Sequence, residues 1–306
     1  MYVDMHIHTC FSDGTQAPEE VAETAKNKNI SVISVCDHNS IGAYDKLKPA
    51  CKSLGLTLIQ GVELCVTWKG RPLQFFGGDV FHLLAYNFDS KNKEILSLIN
   101  KNKTEYDLFG IDMIEAISKD YPAISLRDYE NYEQPLGRGG WKSINYLYDS
   151  GLCKDLLSDG LKFTKQYGNR PMKFSEIGTA CGIIRSAGGV PILAHPGMYW
   201  KNDDLTDIFV ELLNEGIGGL ECYYPAHNES FTTKCVEFCK ANNLCITCGC
   251  DSHGNFAQNI RGVFCDIGVL KINDSLLNLN GIVELDNQLL CSHFSKIEFN
   301  TIKCPY

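Results

Sequence analysis

The chain has 306 residues, room for one large domain or two smaller ones, and its 44% hydrophobic and 21% charged residues are ordinary for a globular protein. A formal charge of −9 without a basic stripe excludes bulk attraction to long nucleic acid or an anionic membrane, although metal ions can make a site locally positive for an anionic substrate. No run is apolar enough to span a membrane, the N-terminus enters a strand without a secretory signal, and the 15 scattered cysteines suit reduced thiols in a cytoplasm.

Residues 3–7 predict a strand carrying Asp4-Met5-His6-Ile7-His8, followed by a loop with Ser12-Asp13-Gly14. Residues 15–27, where Pro18 precedes Glu19 and Glu20, have a helix N-terminal signature. Residues 31–36 predict a strand running into Asp37-His38-Asn39, residues 43–53 a helix, and residues 56–61 a strand leading to Gly61-Val62-Glu63. The motif His82-Leu83-Leu84 comes next. Strands that are apolar throughout and alternate with helices predict a parallel sheet covered on both faces.

Residues 91–175 break that rhythm: they are richer in Lys, Asn, Asp and Tyr, and segments 95–99, 113–117 and 141–152 have helical patterns. This predicts three parts: a first barrel portion over 1–90, a mainly helical insertion over 91–175, and a second barrel portion with a C-terminal segment over 176–306. The strand-helix beat resumes with a helix at 177–187 and an apolar run entering Ala194-His195-Pro196-Gly197. A strand at 219–223 is followed by His227, and the run 244–248 leads into Gly249-Cys250-Asp251-Ser252-His253-Gly254.

Six of the eight histidines thus stand at expected strand ends beside Asp13, Glu63 and Asp251. In a parallel barrel such ends converge on one face, where active sites are built. On a strand, His6 and His8 point to the same side, as do Asp251 and His253, and Glu63 is placed to bridge two ions because a carboxylate has two oxygens. Burying so many imidazoles and carboxylates without a cation would be prohibitively costly, so the set predicts more than one divalent metal ion. Asp4 and Asp37 are candidates to orient imidazole N–H groups, and a plain structural role fits each equally well.

These motifs together resemble the PHP (polymerase and histidinol phosphatase) family of metal-dependent phosphoesterases, from Tyr2 to about Gly254, and most of all its stand-alone bacterial branch of TrpH/YciV-like proteins. The resemblance implies a distorted seven-stranded (β/α) barrel of TIM type and a trinuclear metal centre. One ion would take His6, His8, Glu63 and Asp251; a second would share Glu63 and take His82 and His195; a third would take Asp13, His38 and His253. Manganese, iron or zinc is implied, and so nitrogen-rich a set argues against magnesium alone.

The implied reaction is hydrolysis of a small phosphorylated metabolite or nucleotide, including a nucleoside 3′,5′-bisphosphate or a short oligoribonucleotide, by a hydroxide bridging two ions. Arg138 and Arg261 are candidate cationic clamps on the phosphoryl group, Arg170 is a weaker one, and His227 is a candidate substrate contact or proton donor. Arg138 lies in Leu136-Gly137-Arg138-Gly139, which departs from the Arg-Pro-His segment common in that family. Aromatic residues of the insertion, among them Tyr106, Phe109, Tyr129, Tyr132 and Trp141, could stack a base or simply form core. The competing readings are an amidohydrolase-type C–N hydrolase and a non-catalytic metal-binding regulatory module. The absence of a barrel lysine beside a metal motif counts against the first, and the presence of all nine ligand types counts against the second.

Overall fold

The structure, a computed structural model, describes residues 1–68, 80–200, 205–260 and 262–283. Chain order is β1 (Tyr2–Ile7), α1 (Pro18–Asn27), β2 (Ile30–Val35), α2 (Tyr44–Leu54), β3 (Thr57–Thr67) and β4 (Val80–Tyr86). Four helices follow: α3 (Lys93–Asp120), α4 (Leu126–Glu130), α5 (Lys142–Asp149) and α6 (Ser158–Tyr167). The remainder is β5 (Ser175–Glu176), α7 (Ile177–Ser186), β6 (Val190–Leu193), α8 (Thr206–Asn214), β7 (Gly219–Tyr223), α9 (Glu229–Ala241) and β8 (Cys245–Cys248), with short strands β9 (Asn259–Ile260), β10 (Val263–Phe264) and β11 (Ile272–Asn273).

Seven strands in the order β1-β2-β3-β4-β6-β7-β8 form a nearly closed barrel. Beyond β8 the sheet returns to β1: the His8 N–H donates to Ser252 O at 2.9 Å and the Asp251 N–H to His6 O at 2.8 Å. An interior cluster draws Val3 and Met5 from β1, Val32 from β2, Ile59 from β3, Leu84 and Tyr86 from β4, Ile192 from β6, and Cys245 and Cys248 from β8. The opposite faces of β3 and β4 (Val62, Leu64, Val66, Phe81, Leu83, Ala85) pack outward in a cluster that also takes in α7 and α9. This is period-two alternation with both faces buried, as a helix-covered sheet requires.

The expectation of a wholly parallel sheet fails at β4 within the barrel, and at the short β11, which pairs antiparallel with β1 beside it. β4 runs antiparallel to both β3 and β6, with Glu63 opposite Leu84 and Cys65 opposite His82. Short apolar runs do not encode direction, so periodicity alone could not show this. The helical patterns at 95–99 and 113–117 belong to one continuous helix, α3, whose cap Asn92 accepts from the N–H of Glu94 at 2.9 Å. Its first turns (Ile95, Leu98, Ile99) pack on the barrel's outer layer. Its later turns (Phe109, Met113, Ile114, Ile117) form a separate core with Tyr129, Tyr146, Leu147 and Met172.

Gly61 marks a point of close packing beneath the rim. It faces Tyr86 across the β3–β4 pair, and a Cβ there would collide with Ser34 Oγ and come within 2.6 Å of Cys36 Sγ. Gly61→Ala is therefore expected to lower stability by about 1–3 kcal/mol, read as a fall in the urea midpoint without a change in slope; an unchanged midpoint would show that the wall yields.

Candidate metal centre

The expected metal ligands reach the same rim by different local devices. The register of β1 against β2 shifts between Asp4 and Ile7. Met5 fills the interior and Ile7 turns outward toward α1 and α2, while His6 and His8 both come to the rim with ring centroids 5.2 Å apart. On β3, outward Val62, Leu64 and Val66 leave Glu63 and Cys65 facing inward. His82 lies near the start of β4, not at a C-terminal end as the motif reading expected; because β4 is reversed, its first residues arrive at the same rim. His195 (φ 31°) and Asp251 (φ 54°) hold the left-handed backbone conformation that non-glycine residues rarely adopt.

The other eight expected ligands gather around Glu63, which is fully buried. Its Oε1 lies 2.9 Å from His82 Nδ1 and 3.1 Å from His195 Nε2. Its Oε2 lies 3.3 Å from His6 Nε2, 3.2 Å from His8 Nε2 and 3.1 Å from His38 Nδ1. Asp251 Oδ1 stands 3.1 Å from His8 Nε2, and Asp13 Oδ2 stands 3.2 Å from His253 Nε2. Three donor clusters result: His6, His8, Glu63 and Asp251; Glu63, His82 and His195; and His8, Asp13, His38 and His253. Cys65 joins His38 and His82 in a fourth.

The arrangement fits cations better than it fits itself. Glu63 Oε2, Asp13 Oδ1, His38 Nδ1 and His195 Nδ1 are buried without an aligned hydrogen bond among the described residues. His38 Nδ1 and Glu63 Oε2 are close yet misaligned, as donor atoms aimed at a shared point between them would be. For His38, burial outweighs Glu63 and Asp13 and pushes the ring down to about 4, so it is a neutral lone-pair donor. For His8, burial is outweighed by Asp251 and Glu63, which raise the ring to about 10. Burial of Asp13 is outweighed by His253 and His38, and its carboxyl is held well below the usual range. Metal and protons therefore compete for this set.

The group that orients the centre is one the motifs did not reveal. Glu221, in the middle of β7 and fully buried, places Oε1 3.0 Å from His6 Nδ1 and accepts the His195 N–H on Oε2 at 2.7 Å. The proton on Nδ1 leaves the His6 Nε2 lone pair facing the centre. The only sequence signal was an acid inside an apolar strand run, Gly219-Leu220-Glu221-Cys222-Tyr223. Neither Asp4 nor Asp37 bonds an imidazole directly among the described residues, although Ser12 Oγ, which donates to Asp37, also lies 3.5 Å from His8 Nδ1. Asp4 accepts the N–H groups of Cys250 at 3.0 Å and Gly268 at 2.7 Å. Asp37 accepts from Thr9 N–H at 2.7 Å, Thr9 Oγ1 at 2.7 Å and Ser12 Oγ at 2.6 Å, bracing the loop from His8 to Asp13. Asn102 of α3 donates to Asn39 Oδ1 and to Cys65 O, both at 2.8 Å, and so ties the inserted helices to the rim. Tyr224 Oη donates to Asp251 Oδ2 at 3.1 Å.

The expected substrate-contacting residues are placed otherwise. Arg138 pairs with Asp149 Oδ1 at 2.6 Å and lies over the Tyr148 ring, outside the cavity lining. Arg170 is held by Asp112 at 3.0 Å and Glu105 at 3.7 Å. Arg261 lies outside the described residues. His227 donates from Nδ1 to Cys222 O at 3.0 Å and accepts the Gly197 N–H on Nε2 at 2.9 Å, so both ring nitrogens are spent on backbone. It locks the turn after His195 to the end of β7. The centre opens into a cavity of about 550 Å³ between the barrel rim and the inserted helices, lined by Tyr106, Phe109, Tyr129 and Trp141 among others.

Residues 4–149 match the family profile described as the PHP domain. The chain is 26% identical over 201 residues to a 5′-3′ exoribonuclease of Haemophilus influenzae, covering 64% of this chain and 69% of the relative. It is 24% identical over 259 residues to a 3′,5′-nucleoside bisphosphate phosphatase of Chromobacterium violaceum, covering 82% and 87%. A crystal structure from Bifidobacterium adolescentis, described as a metal-dependent phosphoesterase, superposes with a TM-score of 0.74 at 21% identity over 92% of this chain and 97% of that one.

Glu221→Ala should weaken metal binding about 10–100-fold by calorimetric titration, with Glu221→Gln intermediate because it keeps an acceptor; equal affinity in both variants would deny Glu221 its orienting part. His227→Ala leaves the Gly197 N–H unpaired and should cost about 1–3 kcal/mol near neutral pH. Burial depresses the His227 ring from 6.5 to about 4, so between those values the unfolded chain binds more protons than the native one. The stability that neutral His227 supports is full above pH 6.5 and fades toward pH 4, so the gap between wild type and His227→Ala should narrow across that window. A gap independent of pH would contradict it.

Proposed function

Because the chain carries a PHP domain and belongs to that family, we propose that it is a metal-dependent phosphoesterase acting on a small phosphorylated metabolite or nucleotide. The observation that carries the reading is Glu63: one buried carboxylate with His82 and His195 on one oxygen and His6, His8 and His38 on the other. That is the geometry of a bridging ligand between neighbouring ions.

His6, His8, Glu63 and Asp251 would hold one ion, Glu63, His82 and His195 a second, and Asp13, His38 and His253, with His8 alongside, a third. Six imidazoles favour manganese, iron or zinc over magnesium, which prefers oxygen donors and retained water. When bound, such ions supply the Lewis acidity that activates water and offsets phosphoryl charge. The protein's own residues do the rest. Glu221 sets the His6 tautomer, Asp37 holds the Asp13 loop, Tyr224 orients Asp251, and the inserted helices line the cavity above the site. Arg261 is retained as a phosphoryl contact, whereas the ion pair of Arg138 commits it elsewhere. Division into two barrel portions and an insertion at 91–175 follows the switch from the barrel's outer core to the separate core around α3. The thirteen cysteines among the described residues are all free, twelve of them buried, which favours a reducing compartment such as the cytoplasm. No helix among the described residues is long and apolar enough to cross a membrane.

Manganese-loaded protein is expected to hydrolyse p-nitrophenyl phosphate or its bis-ester, and chelation to abolish turnover. Glu63→Ala should lower kcat/KM by at least about 100-fold. Absence of turnover toward every phosphate ester, in protein whose metal content is established by elemental analysis, would refute the assignment.

A further inference from the structure

Resting on the phosphoesterase reading, the composition of the cavity narrows the substrate. The cavity's 550 Å³ is far more than a phosphoryl group needs and lies in the range of pockets that enclose whole small-molecule ligands, roughly 300–1,000 Å³. Away from the imidazole–carboxylate centre its walls are mainly apolar, with Phe109, Leu161, Met172 and Phe256 among them. Among the described lining residues outside that centre, only Lys103, Asp107 and Lys142 carry charge.

Those charges do not make a second phosphate site. Lys142 donates to Glu130 O at 3.2 Å and lies 4.8 Å over the Tyr129 ring. Lys103 is a single exposed lysine, whose charge is screened by solvent. Arg138 and Arg170 are bound to acids outside the lining. Among the described residues, a second dianion drawn into this apolar space would find no cluster of cations to offset its desolvation. Two hydroxyls in its wall, by contrast, are left unsatisfied. Ser143 Oγ and Thr164 Oγ1 are buried without a hydrogen-bond partner, their residues are 1% and 4% exposed, and both line the cavity.

We infer that the cavity under the inserted helices is a leaving-group pocket for a bulky, uncharged, largely apolar alcohol with a hydrogen-bonding substituent at its far end. The preferred substrate is then a phosphate ester with one phosphoryl group, held at the centre, and no second charge. Hydrolysis splits the ester, leaving inorganic phosphate at the centre and the neutral alcohol in the pocket, with water supplying the oxygen and the proton.

The test pairs binding with specificity. In metal-loaded protein, 2-naphthol is titrated by fluorescence, and kcat/KM is measured for 2-naphthyl phosphate, ethyl phosphate and adenosine 3′,5′-bisphosphate. Saturable naphthol binding is expected, together with a 2-naphthyl preference of at least about 10-fold over the bisphosphate. Leu161→Trp, which fills the pocket, should cut the ratio of 2-naphthyl to ethyl turnover by about 10-fold or more and weaken naphthol binding. If that variant loses its cooperative melt, Ser143→Ala combined with Thr164→Ala serves instead, weakening 2-naphthol relative to naphthalene. Preference for the bisphosphate, absence of naphthol binding, or binding indifferent to these substitutions would overturn the inference. Naphthol binding without turnover of any ester would uphold the pocket and remove the phosphoesterase reading instead.

Discussion

Everything at the rim is arranged around one buried negative charge. Glu63 sits in the middle of an eleven-residue strand, fully enclosed, with imidazole nitrogens within 3.3 Å of both oxygens. In low dielectric a lone carboxylate would give up its charge. Here burial is outweighed by His38, His82 and His6, and Glu63 is held well below its ordinary range. The imidazoles in turn face one another closely enough, with His6 and His8 Nε2 3.2 Å apart, that not all can be protonated. Such mutual dependence explains why the set appears in the sequence as a whole, and why divalent cations complete it.

The barrel supplies that geometry through one departure from regularity. A uniformly parallel barrel would bring only C-terminal strand ends to this rim. Reversing β4 lets an N-terminal residue, His82, stand directly across from Cys65 and next to Glu63. The cost is met by packing: Tyr86 fills the interior opposite Gly61 and donates its hydroxyl to Met5 O at 2.8 Å. Left-handed backbone at His195 and Asp251 adds strain that the surrounding bonds must hold, and Glu221 and His227 do so for the His195 turn.

On the proposed function, chemistry and selectivity fall to different parts of the chain. The rim offers donors for cations, whereas the helices between β4 and β5 offer an apolar roof joined to the rim through Asn102. Relatives that share the rim residues can therefore differ in what the roof admits, in keeping with the rule that function resides in the site rather than in the fold.

Much of the centre was legible because its residues come in short, ordered motifs whose chemistry is local. His6, His8, Asp13, His38, Glu63, His82, His195, Asp251 and His253 could be named from residue type and strand-end position alone. So could the alternation of strands and helices and the change of character after residue 91. What the sequence could not convey depends on contacts between distant segments. Glu221 reads as one acid in an apolar strand until the barrel closes and sets it against His6, 215 residues away. His227 and Arg138 carry the right functional groups, but packing gave one to backbone atoms and the other to Asp149. The direction of β4 and the unpartnered hydroxyls of Ser143 and Thr164 likewise arise only when elements meet. Residue type and spacing determined which groups could bind a cation; tertiary packing decided which were free to do so, because each donor and acceptor is shared among all the partners that the fold brings within reach.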